Sequence, residues 1–101
     1  LRPGTALRGE AVLPLPEGPV VVRPSFAALC AAEEELGPLF ALVERAAEGG
    51  LTLAEMAALF WHCRTDTALS RAEMSEAVVQ QGLAAVTPAL KQLLSQILSG
   101  R

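Results

Sequence analysis

The stretch Leu51-Thr52-Leu53-Ala54-Glu55-Met56-Ala57-Ala58-Leu59-Phe60-Trp61-His62-Cys63-Arg64 decides the fold. It opens with a helix-start signature. Thr52 is placed to cap the free amides of the first turn, and Glu55 to reach back to the amide of Thr52. Leu51 before the cap and Met56 after it suit a hydrophobic staple. Beyond that point the segment is apolar on nearly every side. Leu53, Met56, Ala57 and Phe60 form one stripe, flanked by Leu59, Trp61 and Cys63. A helix apolar all round is normally buried among other elements, so residues 52–64 are expected to be the central core helix. The same helix holds the only Trp and the only His of the chain.

Toward the N-terminus, Gly49-Gly50 stops an earlier helix expected over 38–48, with Pro38 in its first turn. Its apolar positions are Leu39, Phe40, Leu42, Val43, Ala46 and Ala47. Ser25 is a cap for a helix over 26–36, which Gly37-Pro38 ends. Phe26, Leu29 and Leu36 are expected along one face of it, with Cys30 and Ala32 at the edges. Glu33 falls near the centre of that face. One reading makes it a semi-buried carboxylate that receives Arg45 or Arg64, or binds a partner's backbone. The other lets it reach solvent along the helix edge, because buried Glu without a partner is rare. Glu34 and Glu35 read as a solvated face. Residues 9–23 read as a β-hairpin, with valine-rich arms around Pro16-Glu17-Gly18. Pro14 and Pro19 cannot donate ladder hydrogen bonds, which makes the arms short or edge-like. Two strands alone are marginal in water, so the hairpin must lean on helices or borrow a partner's strand. Residues 1–8 are expected to be a mobile tail.

Toward the C-terminus, a polar loop over 64–68 precedes a second copy of the start signature. Leu69-Ser70-Arg71-Ala72-Glu73-Met74 repeats the cap, box and staple of residues 51–56. A helix over 71–81 follows, with Met74, Ala77 and Val78 inward and Gly82 past its end. Residues 83–86 suit a short turn before Thr87-Pro88, a cap followed by proline, within a last helical segment spanning about 84–99. There Leu90, Leu93, Leu94, Ile97 and Leu98 follow the spacing of an amphipathic helix. Lys91, Gln92, Ser95, Gln96 and Ser99 are expected on the opposite side. This apolar face either closes the core or pairs with a partner's helix. The fold class is therefore mainly α with an N-terminal β-hairpin (α+β). It is a single domain over 9–101, a small bundle of about five helices around the segment near 52–64.

A chain of 101 residues builds one modest core. Eleven acidic and eight basic residues give a net charge of −3. A nucleic-acid-binding domain usually shows a basic face, so that class is disfavoured. Cys30 and Cys63 stand in no CxxC pair and suit buried free thiols in a reducing cytoplasm. The start at Leu1 rather than Met is read as trimming or processing. Leu1-Arg2-Pro3-Gly4-Thr5 has no apolar signal region, and no apolar run reaches the ~18 residues that span a bilayer. No metal, cofactor, small-molecule substrate or membrane partner is expected. Cys30, Cys63 and His62 lack zinc-ligand spacing. His62 and Asp66 are an i, i+4 pair without a nucleophile, and Gly49-Gly50 lacks the phosphate-loop pattern. An enzyme is the least favoured class.

The order of short motifs nevertheless points to a family. Gly9-Glu10-Ala11-Val12-Leu13 starts the hairpin, and Val22-Arg23-Pro24-Ser25-Phe26-Ala27-Ala28-Leu29 leads from it. Then come Glu33-Glu34-Glu35-Leu36-Gly37, Leu39-Phe40-Ala41-Leu42, Glu48-Gly49-Gly50-Leu51-Thr52, the Leu69-Ser70 cap and Gly82-Leu83. This series resembles the small tail protein of gene transfer agents, the phage-like particles of alphaproteobacteria. That family has been described both as a tail tube protein and as a tail assembly chaperone. The resemblance implies a cytoplasmic bacterial protein whose partners are the tape-measure or other tail proteins. Self-association into a homo-oligomer stays open. A tube closes a channel with many strands, whereas this chain has residues for one hairpin. That favours the chaperone over a tube subunit; a structural tail component, such as an adaptor, and a generic helical interaction module remain the alternatives. The expected partner surface is Leu90, Leu93, Leu94, Ile97 and Leu98 with Glu33, and the hairpin edge is the second choice.

Overall fold

A computed structural model describes residues 10–99 of the chain. The mobile tail expected over 1–8 lies outside the described residues. The elements run β1 (Ala11–Leu13), β2 (Val20–Val22), α1 (Phe26–Leu36), α2 (Leu39–Ala47), α3 (Leu53–His62), α4 (Arg71–Gln81) and α5 (Leu83–Ser99). The small α+β architecture, five helices and a hairpin among the described residues, is the one expected from the sequence.

The two strands pair antiparallel with Ala11 opposite Val22, Val12 opposite Val21 and Leu13 opposite Val20. Each strand has three residues, because Pro14 and Pro19 remove the amides that would extend the ladder. The hairpin does not stand alone. Arg23 N–H donates to the Cys63 carbonyl at 2.7 Å, and Thr65 N–H to the Val21 carbonyl at 3.2 Å. Residues 63–65, at the start of the expected polar loop, thus cover the outer edge of β2. This contact also shortens α3, which ends at His62 because the Cys63 carbonyl is turned toward β2.

Both capping boxes form. Thr52 and Ser70 accept from the amides of Glu55 and Glu73, whose carboxylates accept from the cap amides in return. In α3, Met56, Ala57, Ala58, Leu59 and Phe60 are all buried, as an all-round apolar helix requires. α1 and α4 pack on its two sides, and α5 closes the far side against β1 and α4. Gly37 separates α1 from α2 with φ +91, and Gly82 alone separates α4 from α5 with φ +94, a conformation that costs glycine little.

Several expected facings are corrected. α1 presents Ala32 to the core, its one buried residue; this small side chain lets the helix lie close to α3. Phe26 is therefore turned outward at 85% exposure, and Cys30 is exposed rather than buried. Phe40 on α2 is 77% exposed, since Leu42 is the residue that α2 buries. Leu53 belongs to the surface end of its stripe.

α5 is continuous from Leu83, so the expected turn over 83–86 is helical and Thr87 is no cap. Gly82 makes the turn by itself, and its carbonyl accepts from Ala85 and Val86. Pro88 sits inside the helix, where it withdraws the amide that would bond the Ala84 carbonyl. The Thr87 hydroxyl donates to the Leu83 carbonyl at 2.6 Å.

Candidate partner-binding surface

The amphipathic stripe of α5 divides between core and surface. Leu90 and Leu93 are buried, Leu94 and Ile97 are half-buried against the core, and Leu98 is 57% exposed. Gln96, expected on the polar side, is buried instead. The buried face is Val86, Ala89, Leu90, Leu93 and Gln96. This rotation follows from the hairpin: Gln92 and Gln96 both donate from Nε2 to the Glu10 carbonyl, which seats α5 on β1. Leu90 and Leu93 therefore close the fold. The exposed remainder of the stripe is at the end of the helix.

That end meets a groove. Leu29 and Glu33 of α1, Pro38 of the corner, Leu39, Phe40 and Val43 of α2, and Ile97 and Leu98 of α5 line a trough of about 330 Å³. Among the described residues Glu33 is its one charged lining residue. It is exposed, as the solvent-edge reading required. Its Oε2 accepts the Leu39 N–H at 3.0 Å. That bond supplies the cap α2 lacks, because its N-terminal residue Pro38 has no polar side chain. The two arginines proposed for Glu33 go elsewhere. Arg45 pairs with Glu55 at 2.7 Å, and Arg64 lies with its Cζ 4.0 Å from the Trp61 ring centroid. Of the six residues expected to bind a partner, Glu33, Ile97 and Leu98 converge on this trough. Sequence reasoning misses Phe40 as a surface residue. Its apolar type reads as core, and only the placement of α2 by Leu42 reveals its exposure.

A second groove, about 470 Å³, lies between the hairpin turn and α4. Its lining includes Glu17, Asp66, Glu73 and Glu76. Two of these carboxylates already serve local structure. Asp66 accepts the Ala68 N–H at 3.0 Å, and Glu73 closes the Ser70 capping box at 2.8 Å. It offers less apolar surface to a partner than the α1–α2–α5 trough.

The residue types used in catalysis have structural partners here. His62 Nε2 lies 2.8 Å from Glu35 Oε1, not against Asp66. Arg71 bonds the other oxygen of Glu35, so Glu35 is no idle solvated acid; it ties α1 to α3 and α4. Hydrogen bonds from Arg71 and then His62 hold its carboxyl below the usual carboxylate range, the Arg71 bond acting most strongly. Trp61 donates from Nε1 to the Leu69 carbonyl at 3.2 Å. Burial pushes the Cys63 thiol up to about 12, which leaves it protonated and unreactive at neutral pH. Among the described residues no three His, Cys, Asp or Glu side chains group as metal ligands, and no helix is long and apolar enough to cross a membrane.

Comparison with known families gives one finding. A family model described as phage tail tube protein, GTA-gp10, matches residues 8–100. Neither the curated proteins nor the solved structures compared with the chain give a match.

Proposed function

Because the chain belongs to the family described as phage tail tube protein, GTA-gp10, and is thus a phage-tail protein, we propose that it acts as a tail assembly chaperone. It binds the long tape-measure protein before the tube polymerises around it. The observation that carries this reading is the α1–α2–α5 trough, with Phe40 and Leu98 exposed at its rim. Exposed large apolar side chains grouped along a groove mark a binding surface for a protein segment. A tape-measure protein, long and helical, offers apolar helical faces that would otherwise aggregate. A helix laid in a groove between helices is an established mode of recognition.

The family description itself favours a second reading, a structural subunit of the tube. A tube ring closes by strand pairing between subunits. Among the described residues the sheet has two short strands, and the β2 edge is covered by residues 63–65. That supply of strand edge is small, which supports the chaperone over the tube subunit.

Co-expression with the tape-measure reading frame of the same locus tests the proposal. The expected outcome is a soluble complex that co-elutes in size-exclusion chromatography, with the tape-measure protein insoluble when expressed alone. Rings or tubes formed by this chain alone, without such a complex, would overturn the chaperone reading in favour of the tube subunit.

A further inference from the structure

The trough has a polarity that narrows what it takes. Phe26, Leu29 and Glu33 stand at i, i+3 and i+7 on α1 and share one face, so the exposed Phe26 continues the wall that Leu29 and Glu33 form. From Phe26 to Glu33 is about 10 Å of helix, long enough to hold two turns of a docked helix. The balance of charge is acidic. The chain carries eleven acidic and eight basic side chains, a net charge of −3. Among the described residues each of the four arginines is engaged within the chain: Arg23 with Glu10, Arg45 with Glu55, Arg71 with Glu35, and Arg64 over Trp61. Lys91 is exposed two turns along α5 from Leu98 and does not line the trough. Glu33 bonds Leu39 through one oxygen, and a carboxylate accepts several hydrogen bonds. Glu44, one turn beyond Phe40, adds a second exposed acid to that side.

Resting on the chaperone reading, we infer that the trough selects amphipathic helices whose polar rim is basic, a Lys or Arg of the partner meeting Glu33 while apolar side chains fill the space between Phe40 and Leu98. The apolar contacts supply affinity. The carboxylates supply register and exclude acidic helices, since like charges juxtaposed at an interface are penalised.

Two synthetic helical peptides with the same Leu/Ala face test this, one rimmed by Lys and the other by Glu. They are titrated into the full chain, labelled with nitrogen-15 for amide chemical-shift mapping. The Lys-rimmed peptide is expected to shift the amides of Leu29, Glu33, Val43 and Leu98, and to bind about tenfold more tightly than the Glu-rimmed one, equivalent to about 1.4 kcal/mol. Glu33→Gln should bring the two affinities to within about threefold, and added salt should do likewise. Equal affinity of the two peptides for the unsubstituted chain would overturn the charge selection and leave the trough as a binding site. Shifts at Glu17, Glu73 and Glu76 instead would move the site to the hairpin-turn groove and overturn the proposal. Shifts that depend on protein concentration alone would make the occupant a second copy, which overturns it equally. If no peptide binds while the tape-measure complex forms, the trough assignment fails and the chaperone reading survives.

Discussion

The buried side-chain amide of Gln96 donates to the backbone carbonyl of Glu10, joining the last turn of α5 to the start of the hairpin. This contact fixes which face of α5 is inside. Gln96→Ala removes the donor and opens a gap beneath β1, while Gln92, at 3.3 Å, keeps one weaker bond to the same carbonyl. The expected loss is about 1–3 kcal/mol, read from urea unfolding. Lys91→Ala, on the exposed side of the same helix, should stay within about 0.5 kcal/mol.

Acid should unfold the protein through its capping carboxylates. The guanidinium of Arg45, together with the Thr52 amide, lowers the Glu55 carboxyl from 4.5 to about 2. Glu73 is lowered by the Ser70 amide, and Glu35 by Arg71 and then His62. A group whose folded value is depressed holds fewer protons folded than unfolded, so its contribution is complete above 4.5 and is lost as pH falls toward 2. Helical circular dichroism should therefore decline across that window. Glu55→Gln should lower stability at pH 7 and flatten the loss between 4.5 and 2; an unchanged acid profile in that variant would mean that Glu55 does not drive the transition.

The two thiols should part cleanly. Cys30 is exposed and Cys63 is buried, with its thiol at about 12. Iodoacetamide at pH 8 should add one group to the native chain, at Cys30, and two after denaturation. Mass spectrometry of the intact protein and its peptides reads both numbers. Modification of Cys63 at the native rate of Cys30 would mean that the α3–hairpin junction opens readily.

What the sequence made legible was whatever depends on near neighbours. Ser25, Thr52 and Ser70 cap the helices assigned to them, and Gly37 and Gly82 end the helices assigned to them. The buried run Met56 to Phe60 needs no tertiary information, because an apolar surface on all sides leaves no choice of face. Where a helix offers two comparable faces, the partner decides. Ala32 rather than Phe26 faces the core because α1 lies close to α3, and Gln96 rather than Leu98 is buried because the Glu10 carbonyl needs a donor. Neither fact is written within one turn of the residue concerned. The trough was legible in Glu33, Ile97 and Leu98, and hidden in Phe40 for the same reason.

Capture and folding should separate along α5 and α2. Leu93 is fully buried, and Leu93→Ala should cost about 2–5 kcal/mol and reduce capture only by lowering the folded fraction. Leu98 and Phe40 are mostly solvated already, so Leu98→Asp and Phe40→Asp should leave the thermal midpoint nearly unchanged. Each places a carboxylate in the apolar trough, beside Glu33, where a docked helix would have to desolvate it. Soluble recovery of the co-expressed tape-measure protein should fall at least tenfold, about 1.4 kcal/mol, with both. Recovery that tracks the thermal midpoint across all three variants would mean that α5 serves only to close the core. Recovery that is lost with Phe40→Asp and Leu98→Asp while their midpoints hold assigns the trough to the partner, because the fold itself is then intact in both variants.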